Sequence, residues 1–357
     1  MFWTHSLSTR VEADRAKGPD SVAQAPYCWL MSSDQYEAVH APISETEARD
    51  GAEVAGGIVA NVERFIQGKR EVIDLSLTCL LAEGHLLLED VPGVGKTSLA
   101  RSLAASLGMS WHRIQFTPDL LPSDVTGVSV FHQGSSRFEF HPGPVFAHIV
   151  LADEINRAAP RTQSSLLEVM EERTVTVDGV THEVPQPFVV IATSNPIEMG
   201  GTFPLPEAQL DRFLMAVSVG YPDPVAEVAV LANLQHGVRI NSLSPVASPE
   251  IVRELIGRAQ RVHVEKAVMD YIVRLTGATR DMRGVLLGAS PRGSVGLLRA
   301  AQASATVAGR TYVSPADVQR LAVPVLAHRI LLTDADATIS ARSDAIRAAV
   351  EQVPVTP

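Results

Sequence analysis

The chain has 357 residues, 46% of them hydrophobic and 20% charged. That composition excludes a wholly disordered protein, and the length is too great for one small core, so two or three domains are expected. A net charge of −10 argues against a nucleic-acid partner, because nonspecific affinity for phosphates comes from a basic face. The two cysteines, Cys28 and Cys79, have no CxxC partner and specify neither a zinc site nor a disulfide framework, so free thiols are expected. No apolar run approaches the roughly 18 residues of a membrane span, and the first 26 residues carry no signal-peptide core; the expected location is cytoplasmic.

Residues 1–45 are polar, interrupted by Pro19, Pro26 and Pro42, and read as a disordered tail. Val54, Ile58, Val62, Phe65 and Ile66 then recur at helical spacing, and Val72, Leu75, Leu77 and Leu80 mark a second helix. His85-Leu86-Leu87-Leu88 reads as a buried strand, followed by a helix from about Gly95 carrying Leu99, Leu103 and Leu107. Further strand-like runs stand at Ile149-Val150-Leu151-Ala152 and Phe188-Val189-Val190-Ile191-Ala192. Short apolar strands alternating with helices indicate a parallel sheet covered on both faces, an α/β fold. Two hairpins interrupt the rhythm: Ser129 to Phe140, and Thr174 to Val184 turning at Asp178-Gly179. Past Tyr221-Pro222-Asp223-Pro224 the strands stop. Helices are expected at about 225–235, 249–260, 265–280, 291–308 and 315–328, two of them opened by Ser-Pro at 290–291 and 314–315. The domain reading is therefore a tail (1–45), an αβα core with two hairpin insertions (46–222), a helical lid (223–335) and a terminal helix or tail (336–357).

The chemistry concentrates where the first strand runs into a helix: Leu88-Glu89-Asp90-Val91-Pro92-Gly93-Val94-Gly95-Lys96-Thr97-Ser98. A loop whose amides point inward at a helix N-terminus makes an anion site. In a P-loop, Lys96 reaches the β- and γ-phosphates of ATP and the Thr97 hydroxyl meets Mg²⁺. Gly93 and Gly95 allow the backbone to approach. The P-loop pattern wants glycine where Asp90 stands; aspartate is expected to survive there because it tolerates unusual backbone angles. The second strand ends in Asp153-Glu154, at the sheet edge where parallel strands deliver ligand-binding residues. Asp153 is a candidate to hold Mg²⁺ through water, and Glu154 to orient or deprotonate the attacking water. Asn195, at the end of the third strand, can reach the γ-phosphate or the water, or be a turn residue before Pro196.

Several longer runs resemble the MoxR family of AAA+ ATPases: residues 115–124 (Gln115 to Asp124), 143–146, 153–158, 166–172 and 201–213. The resemblance covers roughly residues 51–330. It implies a P-loop αβα nucleotide-binding domain with a helical lid, Asn195 as sensor 1, Arg212 as an arginine finger reaching a neighbour's ATP, and Arg292 as sensor 2. It places Gln67 and Gly68, with Lys69, in the segment that meets adenine. Arg157 is a rival for the subunit interface. The resemblance also implies a homo-oligomeric ring, expected to be a hexamer, whose pore the hairpins line or cap, and a partner carrying a von Willebrand factor A domain. The function so read is Mg-dependent ATP hydrolysis driving remodelling, maturation or metal-cofactor insertion of a client protein. A nucleic-acid motor and a nonhydrolysing nucleotide-binding scaffold are the alternatives. The near absence of basic residues from the hairpin tips argues against the first, and the filled hydrolytic positions argue against the second.

Overall fold

A computed structural model describes residues 41–91, 93–134, 136–195, 202–235, 240, 243–334 and 338–355. The expected tail lies, up to residue 40, outside the described residues, as do Cys28 and Pro92. Helix α1 (Glu45–Glu63) opens on a capping box in which the Ser44 hydroxyl accepts from the Glu47 amide and Glu47 accepts from the Ser44 amide. Next come α2 (Arg70–Leu81), β1 (Leu86–Glu89), α3 (Lys96–Ser106), β2 (Trp111–Gln115) and a one-turn α4 (Pro122–Thr126). Strands β3 (Gly127–His132) and β4 (Arg137–Pro142) form the first hairpin. After β5 (Ile149–Asp153) and α5 (Pro160–Glu172), β6 (Thr174–Val177) and β7 (Val180–Glu183) form the second. Asp178 and Gly179 both take positive φ at its turn, as a two-residue hairpin loop requires. The core closes with β8 (Val189–Ser194), a short α6 (Glu207–Leu210) and β9 (Met215–Val217).

Strands β2, β5, β8, β1 and β9 form one parallel sheet in that order. Its strands read as unbroken apolar runs because both faces are covered, yet alternate residues serve different cores. Leu86, Leu88, Ile149, Leu151, Val189 and Ile191 join the helices of one face. Leu87, Val150, Ala152, Val190 and Ala192 join Leu166, Leu167 and Met170 of α5 on the other.

The second half is helical as expected: α7 (Pro224–Gln235), α8 (Pro249–Gln260), α9 (Lys266–Asp281), α10 (Pro291–Val307), α11 (Pro315–Leu326) and α12 (Ile339–Gln352). The last of these resolves the choice between terminal helix and tail. The expectation that strands stop after residue 224 needs correction. Strands β10 (Val285–Leu287) and β11 (Leu331–Leu332) pair antiparallel, each too short to stand out as a run. The helices share a continuous core with one face of the sheet. At this joint Arg329, almost fully buried, donates to Asp211 (2.7 Å) and to the carbonyls of Phe213 (2.7 Å) and Val325 (2.6 Å). No described helix is long and apolar enough to cross a membrane.

Two buried histidines tie the layers together. His85 accepts from the Val190 amide at Nδ1, so its Nε2 proton is left to meet the Met170 carbonyl (3.0 Å each). The ring is therefore the neutral tautomer. His328 meets the Phe213 carbonyl through Nε2 (2.9 Å). Burial lowers the His85 pKa to about 4 and, together with the neighbouring Arg329 charge, that of His328 to about 3. Both rings stay neutral in the folded chain where the unfolded chain would take up protons, so stability is full above about pH 6.5 and falls as the pH drops towards 4. The expected loss by pH 5 is about 2 kcal/mol per histidine. Urea midpoints at pH 7 and pH 5 measure it, and His328→Gln is expected to remove about half of the pH dependence.

Candidate active site at the C-terminal sheet edge

The in-register pairing of β1 with β8 and of β8 with β5 brings three strand ends to one edge. The loop after β1 turns through Gly93 (φ +87°) and Gly95 (φ +93°) into α3, whose first turn carries Lys96, Thr97 and Ser98. A Cβ at either glycine would meet nothing within 4 Å, so the glycines serve the left-handed backbone and not a tight fit. Val91 continues the chain out of β1, and Val94 packs on the core. The Lys96 ammonium donates to the Asp90 carbonyl (2.8 Å). Burial lowers its pKa, and the carboxylates of Asp90, Asp153 and Glu154 oppose that shift.

Asp90 does not use an unusual backbone angle; its φ is not positive. The residue survives in the glycine position for a different reason. Its buried carboxylate reaches sideways, accepting from the Ser218 hydroxyl (3.0 Å) and the Val219 and Gly220 amides. Those residues begin the link between β9 and α7. The same link receives the segment expected to meet adenine. Lys69 donates to the Tyr221 carbonyl (2.7 Å), and a Cβ on Gly68 (φ +68°) would lie 2.9 Å from that of Ala226. Gln67 precedes this turn, its amide within 3.4 Å of the Arg64 carbonyl.

At the end of β5 Asp153 is buried and Glu154 takes a left-handed conformation (φ 57°, ψ 50°). Thr193 of β8 fixes both, donating to Asp153 Oδ1 (2.6 Å) and accepting from the Glu154 amide (2.8 Å). The other Asp153 oxygen receives Arg113 Nε and Nη2 (3.0 and 2.6 Å). Glu154 Oε2 accepts from Gln115 (2.9 Å) and pairs with Arg157 (3.0 Å). Arg157, the rival interface arginine, thus lies on its own chain's acid. Asn195 follows β8 directly and is buried, beside the strand end where the Asp90 amide meets the Ser194 carbonyl (3.2 Å). Arg113, Gln115 and Thr193 escaped the sequence reading. For the first two, the period-2 spacing of β2 was the available signal, since residues two apart share a face.

Arg212 and Arg292 are not part of this constellation. Leu214 donates to the His85 carbonyl (2.8 Å), so Arg212 enters β9 at the N-terminal edge of the sheet. Asp90 stands five steps along the chain from His85, roughly 16 Å at about 3.3 Å per residue of strand. There Arg212 pairs with Glu171 Oε2 and Arg292 with Glu171 Oε1, both at 2.9 Å. The two arginines are brought together with each other and away from the chain's own phosphate loop.

Residues 85–215 match the family model described as "ATPase family associated with various cellular activities (AAA)", and residues 277–349 match the AAA lid domain. The protein YeaC of Bacillus subtilis is 52% identical over 277 residues, covering 78% of this chain and 87% of that one. Chaperone MoxR1 of Mycobacterium tuberculosis is 44% identical over 284 residues, covering 77% and 75% respectively. Protein MoxR of Methylorubrum extorquens is 31% identical over 337 residues, covering 85% and 96%. A crystal structure from Cytophaga hutchinsonii, of a protein assigned as an ATPase, superposes with a TM-score of 0.81 at 33% identity, over 91% of this chain and all of that one. With relatives named MoxR that are 31% and 44% identical over three quarters or more of each chain, and with both the ATPase and the lid models matched, this chain belongs to the MoxR family of AAA+ ATPases.

Proposed function

We propose that this chain hydrolyses Mg-ATP at the C-terminal sheet edge and uses the cycle for chaperone-like remodelling of a protein client. The observation that carries the proposal is that β8 pairs with both β1 and β5, bringing the loop with Lys96 and the acid pair to one sheet edge, with Thr193 holding both members of the pair. In this reading residues 46–222 are the nucleotide-binding core and 223–335 the lid. Loop amides from Asp90 to Ser98 cradle the phosphates, and Gln67 and Gly68 border the adenine. Thr97 and Asp153 are hard oxygen donors that fit Mg²⁺, with Asp153 exchanging its Arg113 contact for the ion or its water. The ion supplies charge neutralisation on the phosphate oxygens.

Gln115 and Arg157 both engage Glu154 Oε2 and hold the carboxylate in place; in this reading it orients the attacking water and accepts its proton. Water oxygen then bonds to the γ-phosphorus as the bond to ADP breaks, and Asn195 positions the water or the γ-phosphate. Because Arg212 stands at the far edge of its own sheet, it can act as a finger only on a neighbouring copy. That favours a closed ring, taken as a hexamer from the family likeness. Arg292, on the same carboxylate, faces the same way.

The protein client is favoured by the hairpin surfaces. Phe131 and Phe138 lie exposed against each other, ring centroids 5.2 Å apart, and β3 and β4 carry Arg137 and Glu139 but no basic stripe. The relative named a chaperone points the same way. A partner with a von Willebrand factor A domain and metal-cofactor insertion as the client reaction complete the reading on the family likeness alone; a cytoplasmic location stays the expectation drawn from the sequence.

Phosphate release and fluorescent-nucleotide binding test these assignments together. Lys96→Ala is expected to lose binding. Glu154→Gln is expected to bind ATP and fail to turn over. Arg212→Ala is expected to keep binding while hydrolysis drops on the order of 10³-fold; normal hydrolysis in that variant rules out the finger. Removing the Asp90 carboxylate leaves the Val219 and Gly220 amides without their acceptor, at about 1–3 kcal/mol each. Asp90→Ala is therefore expected to weaken ATP binding about tenfold by loosening the loop, with Asp90→Asn, which keeps one acceptor oxygen, in between.

A further inference from the structure

We infer that Glu171 is a positioning residue, holding Arg212 and Arg292 as one cationic pair for presentation to the phosphates of a neighbouring copy of this chain. The inference rests on the proposed trans role of Arg212. Three separate parts of the chain meet at this carboxylate: the last turn of α5, the turn between α6 and β9, and the first turn of lid helix α10. Each oxygen takes one guanidinium, at 2.9 Å.

An ion pair of such exposure adds little to stability; the Arg292 side chain is 58% exposed and that of Glu171 39%. The seam between core and lid is secured instead by buried Arg329 on Asp211, and Ser290, which caps α10, adds a hydrogen bond to the other Asp211 oxygen (3.0 Å). What the Glu171 contacts do achieve is order. Two guanidiniums repel, and each long side chain loses rotamer freedom when it is held in one place. A shared carboxylate offsets the repulsion and fixes both forks before any phosphate arrives, which is the effect preorganisation needs.

Glu171 is itself well anchored. The preceding Met170 carbonyl meets buried His85, and the following turn is held by Arg173 on Glu83 (3.2 Å) and its carbonyl (3.3 Å). The backbone that carries the Glu171 carboxylate is thus fixed relative to the start of β1, and both arginines gather on a side chain rooted there.

Mixed rings of the full-length protein test this. Arg212→Ala keeps its own Glu154 but offers no finger, whereas Glu154→Gln offers a finger but has a dead site. Mixing the two is expected to restore hydrolysis at heterologous interfaces. Glu171→Ala alone is expected to lower kcat on the order of 10²-fold, as misplaced catalytic groups do, with ATP affinity and ring size unchanged. Mixed with Glu154→Gln it is expected to recover as Arg212→Ala does; mixed with Arg212→Ala it is not. Glu171→Gln, with one acceptor oxygen left, is expected to hold one arginine and fall between. Wild-type kcat in Glu171→Ala overturns the inference. So does recovery by Arg212→Ala with Glu154→Gln but not by Glu171→Ala with Glu154→Gln, because that places the defect inside the variant's own site. If Arg212→Ala with Glu154→Gln itself fails to recover, the trans finger is wrong and the inference falls with it, a result distinct from the other two.

Discussion

The site depends on the register of the central strands. Leu86, Leu87 and Leu88 of β1 stand beside Ile191, Ala192 and Thr193 of β8, and β8 in turn beside Leu151 and Ala152 of β5. With the pairing so fixed, Thr193 is the residue of β8 that faces both Asp153 and Glu154, and its hydroxyl serves as donor to one and acceptor from the other. A slip of one residue would turn that hydroxyl to the opposite face of the sheet. The apolar residues that alternate between the two cores are what forbids the slip, so packing on both faces determines where the carboxylates stand relative to Lys96.

The same strands separate the chemistry into two edges. Lys96, Asp153, Glu154 and Asn195 gather at the C-terminal ends, whereas Arg212 and Arg292 gather where the strands begin. A chain in isolation therefore holds its phosphate loop and its arginine pair on opposite sides of its own sheet. On the proposed function this division makes hydrolysis a property of an interface: each copy contributes one half of a site to the copy before it and the other half to the copy after. The α5 helix spans the division, starting just after Glu154 and Arg157 and carrying Glu171 in its last turn. A helix of 13 residues, about 18 Å between its terminal Cα atoms, is a rigid connection between the two edges.

The parts legible in the sequence were those written in runs. The strands β1, β5 and β8, the loop with its glycines, the acid pair and the lid helices opened by serine and proline all stood out because periodicity or spacing marks them. Strand β2 did not, because at the edge of the sheet only Ile114 is buried among Trp-His-Arg-Ile-Gln. Arg113 and Gln115, which hold the acid pair, were hidden with it. Strand β9 is three residues long, and β10 and β11 are shorter than any recognisable pattern. Glu171 lay in a quoted family run, but nothing in one dimension distinguishes a carboxylate that serves two distant arginines from one that faces water. Arg292 was expected as sensor 2; the three-dimensional path of the lid is what puts it with Arg212.

Asp90 shows how a departure from a motif can carry information that the motif does not. Glycine at this position would leave the loop free of the Ser218–Gly220 segment. Aspartate accepts the two amides and the hydroxyl there, joining the phosphate loop to the link that leads into α7 and the lid. Lys69 and Gly68 pack on the same link from the side where adenine is proposed to lie. Two separate segments, Gly68-Lys69 and Asp90, thus converge on residues 218–226, the stretch that leads from the sheet into the helical half. A ligand that moves the loop must also move, or strain, this link, because a buried carboxylate cannot surrender two amide donors without leaving them unpaired. On the proposed function, the aspartate thus gives a phosphate bound at the loop a direct mechanical path to the link that leads into α7.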